Sequence, residues 1–160
     1  MNSYVFRLAD NDDVPNIVNI YRSLVGTLGC TWDSEYPSEE TATHDIENQA
    51  LYVITKDNEI IAVATVTDKY NELEHLKWSM QKPCELYRIG VIPKLLKQGI
   101  GSILLQNIIT VMQEKGFDGI RQIVSKTNPA ALALYDKNGF ERCGETFLFE
   151  HEWYCYQIVF

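Results

Sequence analysis

The fold of this chain is decided by one stretch, in which the strand-like run Leu86-Tyr87-Arg88-Ile89-Gly90-Val91 is followed by Gln98-Gly99-Ile100-Gly101 at the start of an apolar helix. Glycines just before a helix let the backbone approach a ligand closely. The free N–H groups of the first helical turn, together with the helix dipole, favour a phosphate at that position. The stretch therefore predicts a pyrophosphate-binding loop between a strand and a helix.

The segments around this stretch predict the fold class. A strand over 120–124 is followed by Asn128-Pro129, an N-cap residue and first-turn proline that open a helix ending at Gly139. The strand–helix–strand unit over 85–124 requires two parallel neighbouring strands. The β-branched runs over 50–66 flank a polar turn and predict an antiparallel hairpin. The predicted class is α+β, with a mixed sheet and helices on its faces.

Composition limits the possible functions. The chain has 160 residues, of which 46% are hydrophobic, so we expect a single domain over 1–160. The 22 acidic residues outnumber the 14 basic ones, and the formal charge is −8. No cluster of Lys or Arg offers the phosphate attraction on which nucleic-acid binding depends. Nucleic acid is therefore not an expected partner.

Cysteine usage and hydropathy predict the compartment. The four cysteines are scattered, without a CxxC pair, and are Cys30, Cys84, Cys143 and Cys155. No secretory signal opens the chain, so reduced thiols in the cytoplasm are expected. The longest apolar stretch, Ile60–Val66, is far shorter than the roughly 18 residues of a membrane helix. We therefore expect no membrane segment.

Two other classes of ligand site are disfavoured. Gly99 and Gly101 taken alone are equally typical of a tight turn. A dinucleotide fingerprint requires a third glycine where this chain has Leu104, and a Walker Lys-Ser pair is absent. The three histidines, His44, His75 and His151, show no ligand spacing, so no metal is assigned.

Two motifs together carry a resemblance. The run from Val91-Ile92-Pro93 through Gln98–Leu105, taken with Asn128–Phe140, resembles the GCN5-related N-acetyltransferase (GNAT) family. The likeness covers essentially the whole chain, because the N-terminal strand and helix and the hairpin Leu51–Val66 fall where that fold places them. It implies the acyl-CoA N-acyltransferase fold, a mixed, mostly antiparallel sheet with a V-shaped splay between two central parallel strands. It also implies acetyl-CoA as co-substrate and direct acetyl transfer to an amine, without an acetyl-enzyme.

The resemblance assigns the cofactor contacts. The pantetheine arm would bind the backbone of Ile89 and Val91, and Asn128 would reach the cofactor from the second motif. The phosphates would bind the loop amides of Lys97, Gln98, Gly99, Ile100, Gly101 and Ser102. The family usually has Gln or Arg five residues before the last of these glycines, and this chain has Leu96 there. That departure removes one polar contact near the phosphates, for which Lys97 or Gln98 is the nearest replacement.

The resemblance also implies the catalytic residues. Tyr135 holds the position of the general acid that protonates the departing thiolate, and a phenol with a pKa of about 10 is protonated at neutral pH. The amine needs a base, and Glu85 resembles the catalytic glutamate of histone-acetylating members. The open alternative is that Glu85 is a strand-end carboxylate paired with Arg88 or solvated. The backbone N–H near Val91 would polarise the thioester carbonyl.

The acceptor site is predicted from the segment that roofs it in this family. Trp32, Glu35 and Tyr36 form an aromatic wall with one carboxylate, which suits a cationic amine, although ordinary packing of the two aromatic residues is an equal alternative. A small-molecule amine is the expected acceptor. A peptide N-terminus or lysine, and a non-catalytic acyl-CoA-binding module, are the alternatives. The aromatic C-terminal strands are also a candidate homodimer surface.

Overall fold

A computed structural model describes residues 3–160 and forms one seven-stranded sheet with four α-helices. The elements are β1 (Tyr4–Leu8), α1 (Val14–Leu24), α2 (Glu39–Glu47), β2 (Leu51–Lys56), β3 (Glu59–Thr67), β4 (Pro83–Val91), α3 (Ile100–Glu114), β5 (Gly119–Ser125), α4 (Pro129–Lys137), β6 (Glu141–Leu148) and β7 (His151–Val159). Short 3-10 turns lie at Asn11–Asp13 and Pro93–Leu95.

The sheet is mixed and has helices on both faces. Its strand order is β1-β2-β3-β4-β5-β7-β6, and among the strands of residues 3–160 only the β4–β5 pair is parallel. The apolar side of α1 packs with Ala42 of α2 on one face. The buried residues of α3, together with Tyr135 of α4, pack on the other face. The predicted α+β class with its mixed sheet is confirmed.

The two parallel strands separate soon after they meet. Their pairing consists of Pro83 with Gly119, Cys84 with Ile120, and Glu85 with Arg121. The N–H of Ile92 donates to Ile61 O of β3 at 3.0 Å. Because backbone groups of a strand point alternately to its two sides, those of Ile89 and Val91 point away from β3 and toward the gap beside β5. The predicted splay between the central strands is confirmed, and we call it the fork.

A bulge in β4, at the fork, changes the direction of the Arg88 side chain. The β3–β4 register shifts between Val63 and Thr65, opposite Arg88, which has a left-handed φ of +50°. The Arg88 guanidinium binds Asp45 of α2, with Nη2–Oδ distances of 2.8 and 2.9 Å. Asp45 is fully buried and also accepts the Thr65 and Tyr70 hydroxyls, each at 2.7 Å. This ion pair ties α2 to β3, β4 and the connection between them.

We expect replacement of Asp45 by Ala to lower the free energy of unfolding by about 3–5 kcal/mol, because it leaves a largely buried guanidinium without its partner. The measurement is urea unfolding. The matched control is Lys94→Ala, which removes an exposed pair with Glu59 at 3.8 Å and should cost no more than about 1 kcal/mol. Equal effects of the two variants would contradict the role given to Asp45.

Candidate active site

The loop before α3 presents free backbone N–H groups. Gly99 is the N-cap residue of α3, has a φ of +82°, and makes no side-chain capping bond. The first intrahelical bond runs from Ile103 N to Gly99 O at 3.1 Å, so the amides of 100–102 precede the ladder. A Cβ on Gly99 would meet no atom of the described residues within 4 Å. The loop is therefore an open concavity of N–H donors suited to an anion.

The side chains around this loop leave the amides as its main binding groups. Leu96 is 45% exposed and offers no polar atom, whereas Lys97 and Gln98 are exposed beside it. The side chain of Ser102 is engaged, since its hydroxyl accepts from Asn138 Nδ2 at 3.0 Å. Asn128 caps α4 through Oδ1, which accepts Ala131 N–H at 3.1 Å. Its Nδ2 is the part of that side chain left to reach a ligand.

Side chains on the two faces of the sheet differ sharply at the fork. Gln122 pairs with Tyr156, which belongs to the core under α3 and α4. The preceding residue, Arg121, therefore points to the face of α1 and α2. Glu85 lies beside Arg121 at the last pair of β4 and β5. The fork thus has an ionic face and a phenol-amide face.

On the phenol-amide face, Tyr135 of α4 is the central group. It is 2% exposed and packs edge-on against Phe140, with ring centroids 5.3 Å apart. Burial raises the pKa of Tyr135, and the nearby Gln122 amide opposes that shift. Gln122 is 3% exposed, yet its Nε2 makes no hydrogen bond of normal geometry within the described chain. An unpaired buried donor costs about 1–3 kcal/mol, so an acceptor atom of a bound ligand would stabilise this face.

On the ionic face, Glu85 is fully buried and saturated with donors. Arg121 donates to Glu85 Oε2 from Nε and Nη2, each at 2.7 Å, and Leu73 N–H donates to the same oxygen at 3.1 Å. The Tyr87 hydroxyl donates to Oε1. Burial raises the pKa of Glu85, although the Arg121 charge opposes the shift. The alternative pairing of Glu85 with Arg88 is wrong, because the β4 bulge turns Arg88 to Asp45.

Two of the three predicted acceptor residues lie against β4. Trp32 packs edge-on against Tyr21, with ring centroids 5.6 Å apart, and its Cη2 is 3.7 Å from where a Cβ on Gly90 would stand. The Tyr36 hydroxyl accepts from Arg88 Nη1 at 3.1 Å. Glu35 is exposed instead, in a turn where its N–H donates to Asp33 Oδ1 at 2.8 Å. Glu35 and its neighbour Tyr36 are both exposed, and an acceptor-binding role for Glu35 stays a prediction.

Several residues around the site were not predicted from the sequence, namely Asp45, Tyr70, Tyr87, Arg121 and Gln122. One signal was available for two of them. Arg121 and Gln122 stand inside the apolar strand run over 120–124, and polar groups buried there require partners. No signal linked Asp45 to Arg88, because the two residues are far apart in sequence and a bulge joins them.

Among residues 3–160, no group of three or more His, Cys, Asp or Glu side chains could hold a metal ion. No described helix is long and apolar enough to cross a membrane.

The amino-acid sequence is similar to a family sequence model and to individual known proteins. A sequence model described as the acetyltransferase (GNAT) family matches residues 17–140. The N-alpha-acetyltransferase of Sulfolobus acidocaldarius is 28% identical in an alignment of 142 positions that covers 86% of this chain and 80% of that protein. YwnH of Bacillus subtilis, a protein named for phosphinothricin acetyltransferase activity, is 24% identical in an alignment of 148 positions that covers 86% of this chain and 84% of that protein.

Solved structures share the fold. The PaiA N-acetyltransferase from Thermoplasma acidophilum, solved in complex with coenzyme A, superimposes with a TM-score of 0.74 at 19% identity and covers 99% of each chain. The family sequence model, the relatives and the forked sheet agree. The chain belongs to the GNAT family and is an acetyltransferase.

Proposed function

We propose that this acetyltransferase takes the acetyl group of acetyl-CoA and transfers it directly to a primary amine. The observation that carries the proposal is the fork. It opens onto the loop of free N–H groups before α3, which we call the amide loop, and it has a buried carboxylate on one face and a buried phenol on the other. Direct transfer needs a proton acceptor on the side where the amine arrives and a proton donor where the thiolate leaves. The two faces of the fork supply these groups separately.

The chain's own groups account for cofactor binding. The amides over 97–102 would hold the pyrophosphate, and the backbone groups of Ile89 and Val91 that point toward β5 would bond the pantetheine amides. When bound, acetyl-CoA supplies the acetyl group as a thioester. Gln122 Nε2 would find there the acceptor that it lacks within the chain, and Asn128 Nδ2 is a further donor at the start of α4.

Tyr135 is the proposed general acid. Its hydroxyl lies beside Gln122 and keeps its proton at neutral pH, because burial raises its pKa. A thiolate formed within reach of this phenol would take its proton. The backbone N–H of Val91 would polarise the carbonyl of the same thioester from the β4 side.

Glu85 is the proposed general base. Desolvation makes its carboxylate more basic than an exposed one, and the Arg121 partner holds it in place at the closed end of the fork. Its position on the α1–α2 face separates it from Tyr135 and puts it on the side of Trp32 and Tyr36.

The proposed acceptor is a small-molecule amine that enters between Trp32, Tyr36 and β4. Aromatic faces attract an ammonium group, and the chain's net charge of −8 favours cationic molecules over anionic ones. The second candidate is the N-terminus of a polypeptide, which the name of the Sulfolobus relative favours.

We place the reaction in the cytoplasm, where four free cysteines remain reduced. The exposed Phe147 and Phe149 of the β6–β7 hairpin are the proposed homodimer surface.

Replacement of Tyr135 by Phe should lower kcat by about 10²-fold to 10⁴-fold and leave acetyl-CoA affinity nearly unchanged. The measurement is thiol release with an accepted amine, beside calorimetric titration of the cofactor. Tyr4→Phe, on the edge strand β1, is the control and should match the parent. A parent that binds acetyl-CoA but acetylates no amine would indicate a binding module instead of an enzyme.

The pH profile gives a second test of Tyr135. The acid is active while protonated, and its raised pKa keeps it protonated beyond the usual value of about 10. We therefore expect kcat to show no fall between about pH 8 and pH 10. A loss of kcat in that range with no unfolding would contradict the assignment.

Replacement of Leu96 by Arg should tighten acetyl-CoA binding about tenfold, because a charge-assisted hydrogen bond contributes about 1.5–3 kcal/mol and some of it is offset by side-chain ordering. Leu96→Gln is the matched neutral variant and should gain less. Calorimetric dissociation constants for both variants provide the check, and weaker binding by Leu96→Arg would place the phosphates elsewhere.

Competition between small amines and peptides tests which class of acceptor the protein acetylates. Under the proposal, small primary amines are acetylated with higher kcat/KM than peptides of the same N-terminal residue, because Trp32 and Tyr36 enclose the entry. Mass spectrometry of product mixtures gives the ratio. A ratio in favour of peptides would select the polypeptide N-terminus as the substrate.

A further inference from the structure

Glu85 is sealed from any acceptor molecule. Its side chain has no exposed surface, and Oε2 accepts three N–H groups, two from Arg121 and one from Leu73. Oε1 accepts the Tyr87 hydroxyl. An amine therefore cannot reach the carboxylate directly while these contacts hold. A base in this position needs an intermediary that carries the proton to it.

Among the described groups that contact Glu85, one is able to pass a proton. The guanidinium of Arg121 has N–H donors but no acceptor, and the backbone N–H of Leu73 is likewise a donor only, so neither can receive a proton from an amine. The phenol of Tyr87 is different, because its oxygen donates one proton and accepts others. It can release its proton to Glu85 while it receives another from the opposite side.

The position of Tyr87 links the buried carboxylate to the acceptor side. Tyr87 is two residues beyond Glu85 on β4 and on the same face, just past the last β4–β5 pair. Its side chain is half-buried, and its ring lies 5.8 Å from Tyr70 and 5.4 Å from the Arg88 guanidinium. Arg88 in turn binds Tyr36. The Tyr87 ring thus belongs to the aromatic surroundings in which the acceptor is proposed to bind.

The Tyr87 oxygen also keeps room for a second partner. It accepts the N–H of Glu72 at 3.4 Å, which is a long bond. An incoming amine or a water molecule would compete well for that lone pair. The contact from Glu72 also positions the phenol, since it comes from the connection that covers Glu85.

We propose that Tyr87 relays the proton of the acceptor amine to Glu85, an inference that rests on the proposed acetyltransfer. The amine nitrogen bonds to the thioester carbonyl carbon, and the carbon–sulfur bond breaks. The amine proton passes to the Tyr87 oxygen as the proton of Tyr87 moves to Glu85 Oε1. Tyr135 gives its proton to the sulfur. Tyr87 ends unchanged, Glu85 has gained one proton, Tyr135 has lost one, and exchange with water restores both.

The test compares Tyr87→Phe, Glu85→Gln and the double variant by steady-state kinetics across pH. Each single variant should lose about 10²-fold or more in kcat, and Tyr87→Phe, which leaves the Glu85–Arg121 ion pair in place, should keep the parental KM for acetyl-CoA. The double variant should be no slower than the slower single, because both residues serve one path. The parent's kcat should fall toward acidic pH, and this acidic limb should disappear in Tyr87→Phe. In the parent, the pH at which the limb occurs should not change when acceptors of different amine pKa are used. Tyr154→Phe, a phenol of β7 outside the path, is the control and should match the parent.

Three kinetic results would overturn the relay. They are a Tyr87→Phe variant with parental kcat and pH profile, losses that multiply in the double variant, and an acidic limb that merely moves to higher pH. The last result would mean that Glu85 acts without Tyr87. Tyr87→His offers a supporting measurement, because an imidazole also accepts and donates a proton and should recover part of the lost kcat.

Infrared difference spectroscopy separates failure of the relay from failure of the proposed function. The carboxyl bands of Glu85, identified by subtraction of Glu85→Gln, should shift in Tyr87→Phe, and the pKa of Glu85 should rise because a hydrogen bond to its charged form is lost. Unchanged bands would overturn the relay in an active enzyme. A parent that acetylates no amine would contradict the proposed function. If the carboxyl bands shifted in that case, the contact between Tyr87 and Glu85 would have a structural role alone, and the relay would be overturned as well.

Discussion

The whole site depends on the point where β4 and β5 stop pairing. The last residue pair joins Glu85 to Arg121, and the same two side chains form a buried ion pair on one face of the sheet. Breaking one member of such a pair is costly, because the other charge remains desolvated. The ion pair therefore holds the strands together at the closed end of the fork, while nothing in the described chain bridges their open ends. A gap results between two strands that are paired below it.

The alternation of side chains along a strand then separates the chemistry of the two faces. Arg121 points to the side of α1 and α2, and its neighbour Gln122 points to the side of α3 and α4, where Tyr135 lies. The proposed base, Glu85, and the proposed acid, Tyr135, lie on opposite faces and therefore cannot neutralise one another through direct contact. The bulge at Arg88 adds to this separation, because it sends a second cation toward Asp45 and away from Glu85.

The sequence predicted those parts of the structure that local rules determine. Gly99 before an apolar helix and Asn128-Pro129 before another are signals within a few residues, and both elements form where they were expected. The fork itself came from the family resemblance, since no local pattern says where two strands part. The pairing of Glu85 was not predictable, because its partner lies 36 positions away and Arg88 was nearer in sequence. The exposed position of Glu35 depends on a turn held by Asp33, and its part in acceptor binding stays a prediction.

The most direct measurement of the central claim, that the fork and its amide loop hold acetyl-CoA, is calorimetric titration of the folded, reduced protein with acetyl-CoA, with free CoA and NAD as comparators. We expect 1:1 binding of both CoA compounds and no binding of NAD, since the loop lacks the third glycine of a dinucleotide site. A protein that is folded by circular dichroism and binds neither CoA compound would contradict it.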